Sequence, residues 1–167
     1  KLLNVRNASM QSTASNKEIT DMIQALGLRH GVDYQDDANY AQLNYGRLMI
    51  MTDADVDGTH IKGLILNFIH HLFPSLLKRS DPFITSMQTP IVKIFNPRSP
   101  ITFYTVEDFH KYMQQNQSNK SRVKSYKGLG TSSDQEVRET FGKKLIEFVS
   151  DKSSDISLNK AFNGSYL

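Results

Sequence analysis

Leu48-Met49-Ile50-Met51-Thr52-Asp53-Ala54-Asp55-Val56-Asp57-Gly58-Thr59-His60-Ile61 is the stretch on which the fold turns. It opens with four apolar residues, too short a run for a helix and apt for a buried strand. Beyond Gly58 the pattern changes. Ile61, Leu64, Ile65, Phe68, Ile69 and Leu72 recur at helical spacing, and Pro74 ends the run. A strand, an acidic turn and a helix in that order predict an α/β sheet, and ligands gather at the carboxyl ends of such strands. Asp53, Asp55 and Asp57 stand two residues apart, so in extended chain their carboxylates share one side. Their repulsion calls for a cation, and hard oxygens select Mg²⁺, Mn²⁺ or Ca²⁺.

Two rival readings of this stretch fail. An EF-hand loop also opens D-x-D-x-D-G, but it needs a bidentate Glu at its twelfth position. Leu64 stands there, and a strand rather than a helix precedes the loop. Gly58 and Gly63 have P-loop spacing, but Leu64-Ile65 replaces the Lys-Ser/Thr pair that would hold phosphate. The adjacent His70 and His71 lack zinc-ligand spacing. His60, at the helix start, is a weak phosphate candidate.

Outward from this centre, Ser15-Asn16-Lys17-Glu18 reads as a capping box for a helix ending at Gly27. The polar stretch with Asp33, Asp36 and Asp37 reads as a solvated loop. On the other side, 83–87, 90–95 and 101–104 read as strands, with a turn at 96–100. Thr105 starts a helix, 114–121 is a polar loop, and 122–127 alternates like a strand. Ser133-Asp134-Gln135-Glu136 caps a last predicted helix bearing Val137, Phe141, Leu145 and Phe148. Arg122, Lys124 and Lys127 precede Gly128-Leu129-Gly130-Thr131-Ser132, where glycines allow close backbone approach to an anion. Taken alone, that segment is better explained by a capping turn with solvated lysines.

The whole chain has 167 residues, 38% hydrophobic and 22% charged, which supports a folded core. It has no Cys, excluding disulfides, thiolate metal sites and Cys nucleophiles. A net charge of +3 permits a nucleic-acid partner without requiring one. No apolar run is long enough to span a membrane, and the absence of a leader pattern sets the expectation that the protein is not secreted.

Taken together, the motifs resemble the Toprim domain of type IIA DNA topoisomerases. Residues 49–61 are similar to its D-x-D-x-D-G-x-H-I motif. Lys1-Leu2-Leu3-Asn4-Val5-Arg6 looks like the segment after its Pro-Leu-Arg-Gly. Tyr126-Lys127-Gly128-Leu129-Gly130-Thr131-Ser132 resembles its third hallmark. Ile61 to Leu64 and Leu66 to His71 look like the eukaryotic topoisomerase II branch, whereas residues 53–57 are closer to bacterial gyrase. That mixture suits a divergent eukaryote or a large DNA virus.

The resemblance implies a mostly parallel α/β Toprim sheet flanked by helices over 1–95, incomplete on its N-terminal side. An appended α+β segment would follow over 96–167. It implies that Asp53, Asp55 and Asp57 bind Mg²⁺, with Mn²⁺ or Ca²⁺ able to substitute. Lys1 and Asn4 would lie near the cleaved DNA strand, and Lys127 would contact DNA phosphate. The family's metal-binding Glu belongs to an upstream motif and its active-site Tyr to a downstream domain. No tyrosine here sits in a matching motif, so this segment alone is expected to be inactive. The implied whole is an ATP-hydrolysing homodimer acting on double-stranded DNA, with ATP used by another domain. It would work in the nucleus or at a cytoplasmic viral replication site. A Toprim-type nuclease or primase, and a non-enzymatic metal-dependent DNA-binding module, are the alternatives.

Overall fold

The computed structural model describes residues 2–96, 99–116 and 122–166. Lys1, most of the predicted polar loop and part of the 96–100 turn lie outside them. The architecture is mixed α/β, as expected. Contacts group the chain into two interleaved units: one holds the residues up to Ile50, His60–Ser86 and those from Glu147 onward; the other holds Met51–Thr59 and Met87–Ile146.

The first unit begins with helices α1 (Met10–Ser15), α2 (Lys17–Leu26) and the short α3 (Asp37–Tyr40). The expected capping box does not form, and the helix start moves by one residue. Ser15 is the last residue of α1, and the Asn16 side chain accepts the Ile19 N–H as the cap of α2. Gly27 closes α2 at φ 73°, a left-handed turn that glycine takes without strain. The predicted loop at 33–37 holds a helix start, because the Asp36 carboxylate accepts the Ala38 N–H.

Strand β1 (Leu48–Ile50) pairs in parallel with β2 (Ile84–Met87), Leu48 opposite Ile84. The connection between them contains α4 (Val56–Leu72). Phe68 and Ile69 on α4 are fully buried, as are Leu76, Phe83 and Ile84. Each such side chain contributes roughly 1.5–3 kcal/mol of burial. This apolar cluster is the core of the first unit.

In the second unit, β3 (Val92–Phe95) lies between β4 (Ile101–Phe103) and β5 (Arg122–Ser125), antiparallel to both. Val92, Ile94 and Phe103 form a small core with Phe109, Tyr112 and Met113, the last three on α5 (Val106–Gln115). Thr105 caps α5 by accepting the Asp108 N–H, as its position suggests. The last predicted helix is cut short. Helix α6 (Asp134–Thr140) stops before Gly142, which sits at φ 71°, and Leu145 and Phe148 belong to strand β6 (Leu145–Phe148). The sheet wins because the Gln88 N–H donates to the Lys144 carbonyl (2.9 Å) and β6 takes its place beside β2. Helix α7 (Ser154–Phe162) has no counterpart among the expected elements. Among the described residues no helix is long and apolar enough to cross a membrane.

Candidate metal and DNA site

The acidic stretch bends where extended chain was expected. Asp53 and Asp55 precede α4, but Asp57 lies in its first turn. The three residues therefore do not share one side by strand alternation, which corrects the expectation. The cause is local. The Asp55 carboxylate accepts the Gly58 N–H at 2.7 Å, and its carbonyl accepts the Thr59 N–H at 3.0 Å. Asp55 thus caps α4, satisfying an amide that the first turn leaves unbonded. Asp57 is exposed beside it, where a carboxylate also suits the positive end of the helix.

Asp53 is half-buried, and a distant part of the chain holds it. Its Oδ1 accepts the Leu129 N–H at 2.7 Å. The Gly128 backbone lies so close that a Cβ there would stand 2.5 Å from Asp53 Oδ2. On the main-chain side, a Cβ on Gly58 would stand 2.1 Å from the Asp53 carbonyl oxygen. The neighbouring Thr52 hydroxyl is buried and has no hydrogen-bond partner in the structure. The acidic turn and the Lys127-Gly128-Leu129-Gly130 loop are therefore brought together, and Lys127 is exposed beside them.

Among the described residues, no three His, Asp or Glu side chains are grouped to hold a metal ion. An all-protein calcium cage of six to eight oxygens does not fit this arrangement. Mg²⁺ does fit the donor chemistry, since it keeps several waters and commonly takes one or two carboxylates together with substrate phosphate oxygens. Asp53 and Asp55 each accept through one carboxylate oxygen, and a carboxylate has lone pairs beyond those used.

Other candidates are engaged within the fold. Asn4, in the first unit, donates from Nδ2 to the Phe162 carbonyl at 2.8 Å and accepts from Asn67 Nδ2 at 2.9 Å. Lys1 lies outside the described residues. His60 stacks on Phe162 with ring centroids 6.3 Å apart. Lys124 donates to Glu136 at 2.7 Å, so it is paired within the fold.

Two hubs escape sequence reading. Arg6 donates to Asn67, Asn159, Asp155 and His70, with only 9% of its side chain exposed. Every nitrogen of a guanidinium carries hydrogen, so His70 Nδ1 is the acceptor and the imidazole is neutral. Burial, followed by the Arg6 charge, lowers the His70 pKa accordingly. Glu136 accepts from Lys124, Tyr126 and both the N–H and hydroxyl of Ser133. The Lys124 bond first, then the Ser133 N–H and the Tyr126 hydroxyl, hold its carboxyl down at about 2. Burial first, and then Glu136, push the Tyr126 phenol well upward. The capping pattern marked Glu136 in the sequence, but not its other partners; nothing local marked Arg6.

Residues 87–166 match the family described as the C-terminal associated domain of TOPRIM. The chain is 41% identical over 173 aligned residues to DNA topoisomerase 2 of Invertebrate iridescent virus 6, covering 97% of this chain and 15% of that protein. It is 42% identical over 168 to rat DNA topoisomerase 2-alpha, covering 98% of this chain and 11% of that one. The Plasmodium falciparum topoisomerase II DNA-binding, cleavage and re-ligation domain superposes with a TM-score of 0.88 at 37% identity, over 99% of this chain and 23% of that one. The chain thus spans between a tenth and a quarter of the length of these relatives.

Proposed function

The chain belongs to the DNA topoisomerase 2 family, and we propose that it is the cation- and DNA-handling segment of an enzyme that cuts and reseals both strands of a duplex. The observation that carries this reading is the Asp53 carboxylate held on the Leu129 N–H, which joins two motif segments in one place. Asp53 and Asp55, with Asp57 exposed beside them, would supply hard oxygen ligands for Mg²⁺. An acidic residue from elsewhere in the full-length polypeptide and DNA phosphate complete the set. Lys127 would neutralise a phosphate, Lys1 and Asn4 are assigned to the cut strand, and Asn4 anchors its own segment through Asn67 and Phe162.

In the proposed chemistry a tyrosine outside this segment attacks a backbone phosphate. One phosphodiester bond is exchanged for a 5′-phosphotyrosyl bond and a free 3′-hydroxyl, and reversal reseals the strand. When bound, Mg²⁺ offsets negative charge on the reacting oxygens. This chain's own part is to fix the Asp53 carboxylate, to start α4 at Asp55 and to neutralise phosphate with Lys127. ATP consumption, the homodimer and a nuclear or viral-replication-site location belong to the same proposal, as does inactivity of the segment by itself.

The test uses the full-length polypeptide. Asp53→Ala abolishes Mg²⁺-dependent cleavage and relaxation with circular dichroism unchanged; normal cleavage by that variant ends the ligand assignment. A covalent protein–DNA adduct trapped from the parent protein supports the reading. Hydrolysed free ends without an adduct replace it with a nuclease.

A further inference from the structure

Gly128 is not a glycine for reasons of backbone conformation. Its φ of 173° and ψ of −178° are extended and open to any residue. A side chain there would displace Asp53, since a Cβ would lie 2.5 to 2.8 Å from three atoms of its carboxyl group. Gly130, two residues on, has nothing within 4 Å of the same position. The two glycines of the loop therefore do different things, and only Gly128 lets main chain close onto Asp53. The approach delivers the next amide, Leu129 N–H, to Oδ1 at 2.7 Å. The loop is itself braced: Thr131 donates to the Gly128 carbonyl from its N–H at 3.1 Å and from its hydroxyl at 2.7 Å.

We propose that Gly128 and the Leu129 N–H are a positioning pair that fixes the Asp53 carboxylate for a divalent cation. This inference rests on the reading of Asp53 as a ligand. A carboxylate free to rotate loses side-chain freedom when it ligates. One already bonded through Oδ1 and packed against main chain has lost that freedom on folding. The pair acts through Asp53 and touches neither the cation nor the DNA. Groups that orient a metal ligand from behind typically account for about 10- to 100-fold in affinity.

The experiment compares Gly128→Ala, Gly130→Ala and Asp53→Asn in the full-length polypeptide. Mn²⁺ binding is followed by electron paramagnetic resonance, and exchange of the Leu129 amide by hydrogen–deuterium mass spectrometry. Gly128→Ala is expected to weaken Mn²⁺ binding about tenfold or more, to expose the Leu129 amide to exchange, and to recover DNA cleavage at raised Mg²⁺. Gly130→Ala is expected to bind Mn²⁺ within about twofold of the parent, since its Cβ meets nothing. Asp53→Asn keeps an acceptor for the amide but loses the charge, so it should lose Mn²⁺ while Leu129 stays protected. If Asp53→Asn binds Mn²⁺ normally, the ligand reading itself falls. If Asp53→Asn loses Mn²⁺ while Gly128→Ala binds it like the parent, the ligand reading stands and the positioning role is overturned. Equal losses in both glycine variants also overturn it, by pointing to general disruption of the loop.

Discussion

Arg6 and Glu136 are mirror images built in different ways. Each is one charge shared among four groups of opposite polarity. Glu136, in the second unit, draws its partners from Lys124, Tyr126 and Ser133, none more than 12 residues away. Arg6, in the first unit, draws on Asn67, His70, Asp155 and Asn159, from 61 to 153 residues away. The local hub fastens a strand to the helix that follows it. The distant one ties the N-terminal segment to α4 and α7, after all three have been brought together. Their surroundings differ too. Asn67 is fully buried, whereas the Lys124 side chain is 33% exposed. Water can take over from Glu136 as a partner for Lys124, but it cannot readily reach Asn67.

That contrast can be broken most directly at Arg6. Arg6→Met should cost about 2–4 kcal/mol, because it strands the buried Asn67 oxygen and the partly buried His70 and Asn159 acceptors. Urea denaturation of the full-length polypeptide measures this, and a loss below about 1 kcal/mol would mean that solvent reaches the hub. Glu136→Ala should cost less, about 1–2 kcal/mol, since it removes one side of a capping box and an ion pair whose lysine water still reaches. An effect as large as that of Arg6→Met would mean that partner burial is not what separates the two hubs.

Acid should separate them further, by a smaller effect. His70 and His71 have pKa values lowered by burial and by Arg6. Their unfolded forms bind protons more readily, so their contribution is present above about 6.5 and is lost as the pH falls through the lower folded values. The Glu136 carboxyl is held down from 4.5 to about 2, so its contribution persists above about 4.5 and is lost only as the pH falls toward 2. Hydrogen exchange should therefore show the Arg6 segment loosening first on acidification, with 124–136 holding to lower pH. The reverse order would contradict the assignment of His70 as a neutral acceptor.

The same divide between near and far partners explains what could be read in advance. The β1 run, the stripe of α4, the Thr105 cap and the Ser133–Glu136 box are all patterns within a few residues, and the structure has each of them. Strand β6 was hidden because Leu145 and Phe148 keep helical spacing with Val137 and Phe141, while the sheet that claims them lies elsewhere in the chain. The shared side expected for the aspartates failed because Asp55 starts a helix two residues before Asp57. Asn4 belongs to the N-terminal motif, yet its bonding to Asn67 and Phe162 follows from nothing near it in sequence.

The sequence by itself determined the acidic turn between strand and helix, the order of the three motifs and, with them, the family. These depend on residue type and on spacings of a few residues, where backbone geometry leaves little choice. Only the tertiary structure decided that Asp53 meets an amide 76 residues further on, and that Gly128 rather than Gly130 makes room for it. Such a contact is the outcome of packing the whole chain. Its closeness, such that a Cβ on Gly128 would stand 2.5 Å from the Asp53 carboxylate, is a distance that no spacing in a linear sequence encodes.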